Sequence, residues 1–98
     1  MGATPEVLVK RQIKKILKDA RVYFAMPIGS GYGNAGVPDF LVCHHGRFIG
    51  IEAKAGKGKT TALQDKNLND IRESGGVAIV IYEHNIDELK ELLNATHT

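Results

Sequence analysis

Asp39, Glu52 and Lys54 are the residues of this sequence whose types and spacing best suit catalysis. Two carboxylates supply the oxygen ligands that Mg²⁺ prefers, and the carbonyl of Ala53, between Glu52 and Lys54, could add one more. A bound Mg²⁺ polarises a phosphoryl oxygen and lowers the pKa of a coordinated water, while a lysine orients that water or stabilises charge developing on the phosphate. The residue types therefore predict hydrolysis of a phosphodiester bond, provided that the fold brings the three side chains together.

A β-hairpin would bring these side chains together. His45-Gly46 stands between two apolar runs, which is the sequence signal of a two-residue turn. Counting outward from that turn places Asp39 directly opposite Glu52, with Cβ atoms about 4.5–5.5 Å apart, and puts Lys54 on the same face as Glu52. Like charges opposite each other destabilise a sheet, so the pair favours a cation between them. The alternative is that Lys54 simply neutralises two structural carboxylates as an ion pair.

The rest of the sequence predicts the elements that hold this hairpin. Thr4 and Pro5 are suited to start a helix, and Gly75-Gly76 is suited to end a second one. The predicted elements are, in order, a helix at 5–20, strands at 22–26, 37–43 and 47–54, a helix from 60 or 61 to 74, a strand at 77–82 and a helix after Asn85. They form a single α/β domain over residues 1–98, with a mixed central sheet flanked by helices and its last two strands parallel.

The segments Gly36-Val37-Pro38-Asp39 and Glu52-Ala53-Lys54, at hairpin spacing and followed by Gln64, resemble the motif of the PD-(D/E)xK nuclease superfamily. Within it, the chain is similar to the virus-type replication–repair nuclease family, VRR-NUC, in element order and motif spacing over nearly its whole length. The resemblance implies a restriction-endonuclease-like αβββαβα core. It also implies a homodimeric nuclease that acts on branched DNA, such as a Holliday junction, with Mg²⁺ as the cofactor and Mn²⁺ able to substitute.

The resemblance also assigns roles to individual residues. It implies that both carboxylates of the hairpin bind the metal, that Lys54 is catalytic, that Glu6 in the first helix helps at the metal, and that Gln64 lies beside the catalytic centre. Two of these residues have a structural alternative. Glu6 stands in the first turn of its helix, where the helix dipole favours an acid. Gln64 has capping-box spacing from Thr61.

Positive charge is concentrated in two stretches, the first predicted helix and the loop after the Lys54 strand. Such clusters suit a polyanion, although a solvated helix face is the plain alternative. Lysines in these stretches are expected to contact phosphates, and a loop tyrosine either stacks on an exposed base or has no such role. The candidates for nucleic-acid contact are Lys10, Lys14, Lys57, Lys59 and, in the glycine-rich segment 29–36, Tyr32.

Two other functions compete with this interpretation. Residues 53–60 fit a relaxed P-loop that follows a strand and opens a helix, but 98 residues supply a smaller sheet than P-loop NTPases use. That alternative also leaves Asp39 opposite Glu52 unexplained. A non-catalytic DNA-binding module built on a nuclease fold would account for the basic stretches, but not for an intact set of two acids and a lysine.

Composition limits the setting in which the protein works. The net charge is +2, only mildly basic, so the charge distribution is more informative than its total. No apolar run reaches the ~18 residues that a membrane span requires, and basic residues interrupt the N-terminal stretch that would be apolar in a signal peptide. A single cysteine, Cys43, excludes an intramolecular disulfide. We therefore expect an intracellular protein, with Cys43 as a small buried filler and His44 and His45 in an exposed turn.

Overall fold

The hairpin predicted around His45-Gly46 supplies the two inner strands of the sheet. In the computed structural model, which describes residues 2–28 and 35–95, the elements are α1 (Pro5–Asp19), β1 (Tyr23–Ala25), β2 (Phe40–His44), β3 (Arg47–Ala53), α2 (Ala62–Glu73), β4 (Val77–Ile81), a 3₁₀ helix (Glu83–Asn85) and α3 (Ile86–Ala95). This αβββαβα order confirms the predicted fold class. The 3₁₀ helix was not predicted, and Tyr32 lies outside the described residues.

The register of the hairpin is the predicted one. Within the described residues the sheet has the order β1-β2-β3-β4, antiparallel between the first three strands and parallel between β3 and β4. The turn has positive φ at both central residues, 52° at His45 and 76° at Gly46, which is the conformation of a type I′ hairpin turn. The ladder runs from His44 opposite Arg47 to Phe40 opposite Ile51. One step further, the same register sets Asp39 across from Glu52.

From Ile49 to Ala53 the strand β3 is buried on both faces. Its residues Ile49, Ile51 and Ala53 belong to the main core, to which α1 and α3 contribute their apolar faces. The alternate residues point to the opposite face, where α2 packs. Gly50 shows this contact directly, since a Cβ there would lie 2.6 Å from Ile71 Cδ1 of α2. Glu52 and Lys54 follow on the same face by alternation. None of the helices in the described ranges is long and apolar enough to cross a membrane.

The segment before β2 is fixed against the start of α2. Gly36 has φ of 86°, and a Cβ at this position would lie 2.8 Å from the carbonyl oxygen of Leu63. Only glycine allows that backbone conformation and that close approach together. Pro38 follows and is buried, with its ring over Gly50. The chain therefore reaches Asp39 along a fixed path.

Two expectations about the hairpin end are wrong. Cys43 is exposed, because α2 packs on β3 and β4 and leaves the turn end of β2 open on that face. His44 is partly buried, and its Nε2 lies 3.0 Å from the carbonyl oxygen of Leu93 in α3. Its place is thus set by the last helix, which sequence spacing around the turn does not reveal. His45 is exposed, as predicted.

Candidate active site

The centre of the site is the pair of carboxyl groups of Asp39 and Glu52. Glu52, on β3, is only 2% exposed. Asp39 precedes β2, and its Oδ2 accepts a hydrogen bond of 2.8 Å from the amide of Ala53, the residue after Glu52. The hairpin register and this backbone bond together hold the two acids face to face.

The environment strongly disfavours ionisation of Glu52. Burial raises its pKa to about 8, and the neighbouring Asp39 adds to the shift through its negative charge and through hydrogen bonding between the two carboxyl groups. The charge of Lys54 lowers the pKa in part, and the charge of Glu6 raises it further. The lysine therefore does not compensate for burial and for the neighbouring acids. A positive charge added beside the pair would favour the ionised form of Glu52.

Lys54 stands beside Glu52 without being bound tightly to it. Its Nζ lies 4.0 Å from Glu52 Oε2, and its side chain is 12% exposed. A charge-assisted hydrogen bond between an ammonium and a carboxylate is about 2.7–2.9 Å long. The exposed pair of Lys15 and Asp19 reaches 2.8 Å, which the buried pair does not. At 4.0 Å the ammonium is beyond hydrogen-bond distance of Glu52, so Lys54 does not form the close ion pair expected of a purely structural counter-ion.

Gln64 performs both of the tasks that the sequence left as alternatives. Its side-chain Oε1 accepts a hydrogen bond from the backbone amide of Thr61 at 2.9 Å, and its backbone amide donates to Thr61 Oγ1 at 3.1 Å. These two bonds complete the capping box of α2. Its Nε2 donates to Glu52 Oε2 at 3.2 Å. Because the cap uses the side-chain oxygen, the NH₂ group is the end that faces the acid.

Lys10 joins the site, although the sequence suggested only a contact with nucleic acid. Its Nζ lies 3.4 Å from Asp39 Oδ1 and 3.7 Å from Glu6 Oε2. Glu6 is therefore separated from the hairpin pair by an ammonium group, although its charge is still felt at Glu52. The sequence held one signal for this arrangement. Lys10 is four residues after Glu6, and residues at this spacing lie on the same side of a helix.

The loop after β3 is held by residues that the sequence analysis missed. The Glu83 carboxylate accepts from the amide of Gly56 at 2.9 and 3.2 Å, and the Tyr82 hydroxyl donates to the carbonyl of Gly58 at 2.9 Å. The bond from Gly56 also lowers the pKa of Glu83. We call these contacts of Glu83 and Tyr82 with the loop the clamp. Because β3 and β4 are parallel neighbours, the segments that follow them lie side by side, and this is the signal that could have identified the clamp.

This clamp bears on two further expectations. Lys57 and Lys59 are both exposed on the held loop, where they are available to a phosphate backbone, and Lys14 is exposed on α1. The amide of Gly56 is already bonded to a carboxylate of the protein itself. A P-loop requires such amides to be open to phosphate, so the loop geometry argues against the nucleotide-binding alternative.

The donor set fits a hydrated divalent cation. Among the residues that the structure describes, no group of three or more His, Cys, Asp or Glu side chains is arranged to hold a metal ion. The oxygens that do come together belong to Asp39 and Glu52. Mg²⁺ typically keeps several waters and uses only one or two carboxylates plus substrate phosphates, so two acids suffice for it. Glu52 is a buried acid with a raised pKa beside a second acid, and a bound cation would favour its ionised form.

A solved structure described as a VRR_NUC domain protein has the same fold as this chain. The two superpose with a TM-score of 0.65, over 99% of this chain and 91% of that chain, at 18% sequence identity. No family model and no curated protein matches the sequence. The structural likeness confirms the fold that the resemblance to VRR-NUC implied, a mixed four-stranded sheet flanked by helices.

Proposed function

We propose, starting from a fold shared with a VRR_NUC domain protein, that this chain is a divalent-metal-dependent nuclease that hydrolyses phosphodiester bonds in DNA. The observation that carries the proposal is the juxtaposition of Asp39 and Glu52, one of them almost fully buried, across the hairpin. The side-chain nitrogen atoms of Lys54 and Gln64 lie 4.0 and 3.2 Å from the same oxygen, Glu52 Oε2. A structural role alone does not explain why so costly a set of charges is gathered at one point of a small core.

The roles of the residues follow from their positions. Asp39 and Glu52 would hold Mg²⁺ or Mn²⁺, with the carbonyl of Ala53 as a further candidate ligand. The bound ion would supply Lewis-acid polarisation of a phosphoryl oxygen and acidify a coordinated water. The side-chain Nε2 of Gln64 donates a hydrogen bond to Glu52 Oε2, which fixes the Glu52 carboxyl group beside Asp39. Lys54 supplies a positive charge, 4.0 Å from Glu52, that orients the attacking water or stabilises charge developing on the phosphate.

The finer proposal concerns the substrate. We propose that two copies of the chain act together on branched DNA of the Holliday-junction type, because two active centres related by a two-fold axis match the near two-fold symmetry of a four-way junction. The exposed lysines Lys14, Lys57 and Lys59 support contact with a DNA backbone. The motif resemblance supports the dimer and the branched substrate.

A panel of labelled nucleic acids tests the proposal. Four-way junctions, flaps, duplexes, single-stranded DNA and RNA are incubated with Mg²⁺, Mn²⁺ or a chelator. Wild-type protein, Asp39→Asn and Lys54→Ala are compared with Lys66→Ala, whose lysine is exposed and paired with Asp70 on α2. We expect metal-dependent cleavage by the wild type and Lys66→Ala only.

The outcomes separate the levels of the proposal. Paired, symmetric nicks in the junction would support the resolvase function, whereas preference for flaps or linear substrates would refute it and leave the nuclease intact. If the wild type and Asp39→Asn both bind DNA and neither cleaves it, the protein is a non-catalytic binding module instead. The mass of the protein and of its junction complex in solution tests the homodimer.

A further inference from the structure

We infer that Lys10 is a displaceable counter-ion of the site. Its ammonium group pairs with Asp39 Oδ1 in the metal-free protein and leaves that oxygen when a divalent cation binds. The inference rests on the proposed function, because it assumes that Asp39 is a metal ligand. It assigns Lys10 a role different from the direct contact with nucleic acid that its basic stretch suggested.

The two oxygens of Asp39 have different partners. Oδ2 accepts the amide hydrogen bond from Ala53 at 2.8 Å and is thereby fixed to the backbone. Oδ1 has the ammonium of Lys10 at 3.4 Å. The oxygen that the backbone leaves open to a cation is therefore the one that Lys10 approaches. A metal ion bound there would meet the lysine charge at close range, and the two cations repel each other.

The geometry of Lys10 allows it to leave. At 3.4 Å its Nζ is further from Asp39 than the 2.7–2.9 Å typical of a charge-assisted hydrogen bond. Its side chain is 32% exposed, so it can move into solvent without opening the core. Glu6, one helical turn back at 3.7 Å, offers a second partner for the displaced ammonium. Lys10 therefore has a short path from one carboxylate to the other.

Lys54, the other lysine at the acid pair, differs from Lys10 in its burial and in its partner. Lys54 is 12% exposed, approaches Glu52 rather than Asp39, and extends from the end of the buried strand β3. It cannot move away from the site without losing its burial. The two lysines thus flank the acid pair in unequal ways, one held by packing and one held mainly by charge. Only the second is suited to exchange with a metal ion.

Titration with Mn²⁺ in a low-salt buffer tests the inference, with binding followed by calorimetry and by the signal of free Mn²⁺ in electron paramagnetic resonance. The variants are Lys10→Met, Lys10→Gln, the charge-keeping Lys10→Arg, and Lys14→Met as a control that removes one charge one turn further along α1. We expect Lys10→Met and Lys10→Gln to bind Mn²⁺ about three- to tenfold more tightly than the wild type. Lys10→Arg and Lys14→Met should remain within about twofold of it.

Thermal unfolding gives a second readout of the same exchange. In chelator, Lys10→Met should melt below the wild type, because the acids lose their counter-ion, and saturating Mn²⁺ should abolish or reverse that difference. If the wild type binds Mn²⁺ and both Lys10→Met and Lys10→Gln bind it equally well or more weakly, the inference about Lys10 is overturned. The proposed metal site is unaffected by that outcome. Absence of Mn²⁺ binding by the wild type, or unchanged binding by Asp39→Asn, would overturn the proposed metal site and the inference with it.

Discussion

Asp39 faces Glu52 one step beyond the last paired residues of the β2–β3 ladder, and the Asp39 carboxylate is bonded to the amide that follows Glu52. The acids are therefore fixed by backbone register rather than by flexible loops. The His45-Gly46 turn sets that register, and the bond from Ala53 holds Asp39 at its end. Substitutions of the side chains around it should consequently report on chemistry with little disturbance of the fold.

The first prediction concerns Lys54. Lys54→Met keeps most of the apolar stem and removes the charge, so we expect the rate of DNA cleavage to fall by about 10²-fold or more. Far-ultraviolet circular dichroism should be unchanged, and the melting temperature in chelator should fall only slightly. Single-turnover cleavage at saturating metal provides the measurement. Cleavage by Lys54→Met at the rate of Lys66→Ala would exclude a catalytic role for this lysine.

The second prediction concerns pH. The pKa of Glu52 is about 8 in the folded protein against 4.5 for an unperturbed glutamate, so the folded state binds a proton that the unfolded state releases. In chelator, Glu52 should therefore contribute fully to the free energy of unfolding below pH 4.5. This contribution should be lost as the pH rises from 4.5 through 8. The slope attributable to Glu52 approaches about 1.4 kcal/mol per pH unit between these values.

Glu52→Gln provides the control for this pH dependence. The amide cannot ionise, so the difference between wild type and variant in urea denaturation should grow in favour of the variant as the pH rises from 5 to 9. Mg²⁺ should stabilise the wild type most at high pH, where the acid has lost its proton. Parallel pH profiles for the two proteins in chelator would contradict the raised pKa.

The third prediction separates the two tasks of Gln64. Thr61→Ala should lower the free energy of unfolding by about 1 kcal/mol through loss of the cap, with cleavage close to wild type. Gln64→Glu keeps an oxygen for the cap but replaces the donor to Glu52 with a third acid, so cleavage should fall about tenfold. Urea denaturation and turnover are measured on the same preparations. If Gln64→Glu cleaves as well as Thr61→Ala, the contact with Glu52 has no functional role.

The fourth prediction concerns the clamp on the loop after β3. Glu83→Gln weakens the bond to the amide of Gly56, and the loop that carries Lys57 and Lys59 becomes less ordered. We expect the KM for DNA to rise about two- to fivefold while kcat changes less, because the acid pair is untouched. Glu88→Gln, which removes an exposed acid from α3, is the matched control. An equal KM for both variants would show that the clamp does not position the loop.

The sequence predicted the parts of this site that depend on local rules. A turn of two residues determines a register, and that register determined the position of Asp39 relative to Glu52. Capping predicted helix starts at Thr4 and at either Thr60 or Thr61, and the structure has the caps at Thr4 and Thr61. The relation of Lys54 to Glu52 followed from the alternation of strand residues alone.

The remaining features depend on packing between distant elements. Whether Lys10 meets Asp39 depends on how α1 crosses the sheet, and no local spacing encodes that angle. The contact of Glu83 with Gly56 arises because β4 returns beside β3. The exposure of Cys43 reflects which strands α2 covers. These are properties of tertiary arrangement, for which residue type is a weak guide.

The burial of Glu52 beside Asp39 has a consequence for laboratory evolution. A random library screened only for heat resistance, with divalent ions withheld, should accumulate neutral replacements of Glu52 and Asp39, because these remove the cost of a buried acid next to a second acid. The most robust survivors would then be inert. The pattern of their substitutions would outline the active centre without a single assay of DNA.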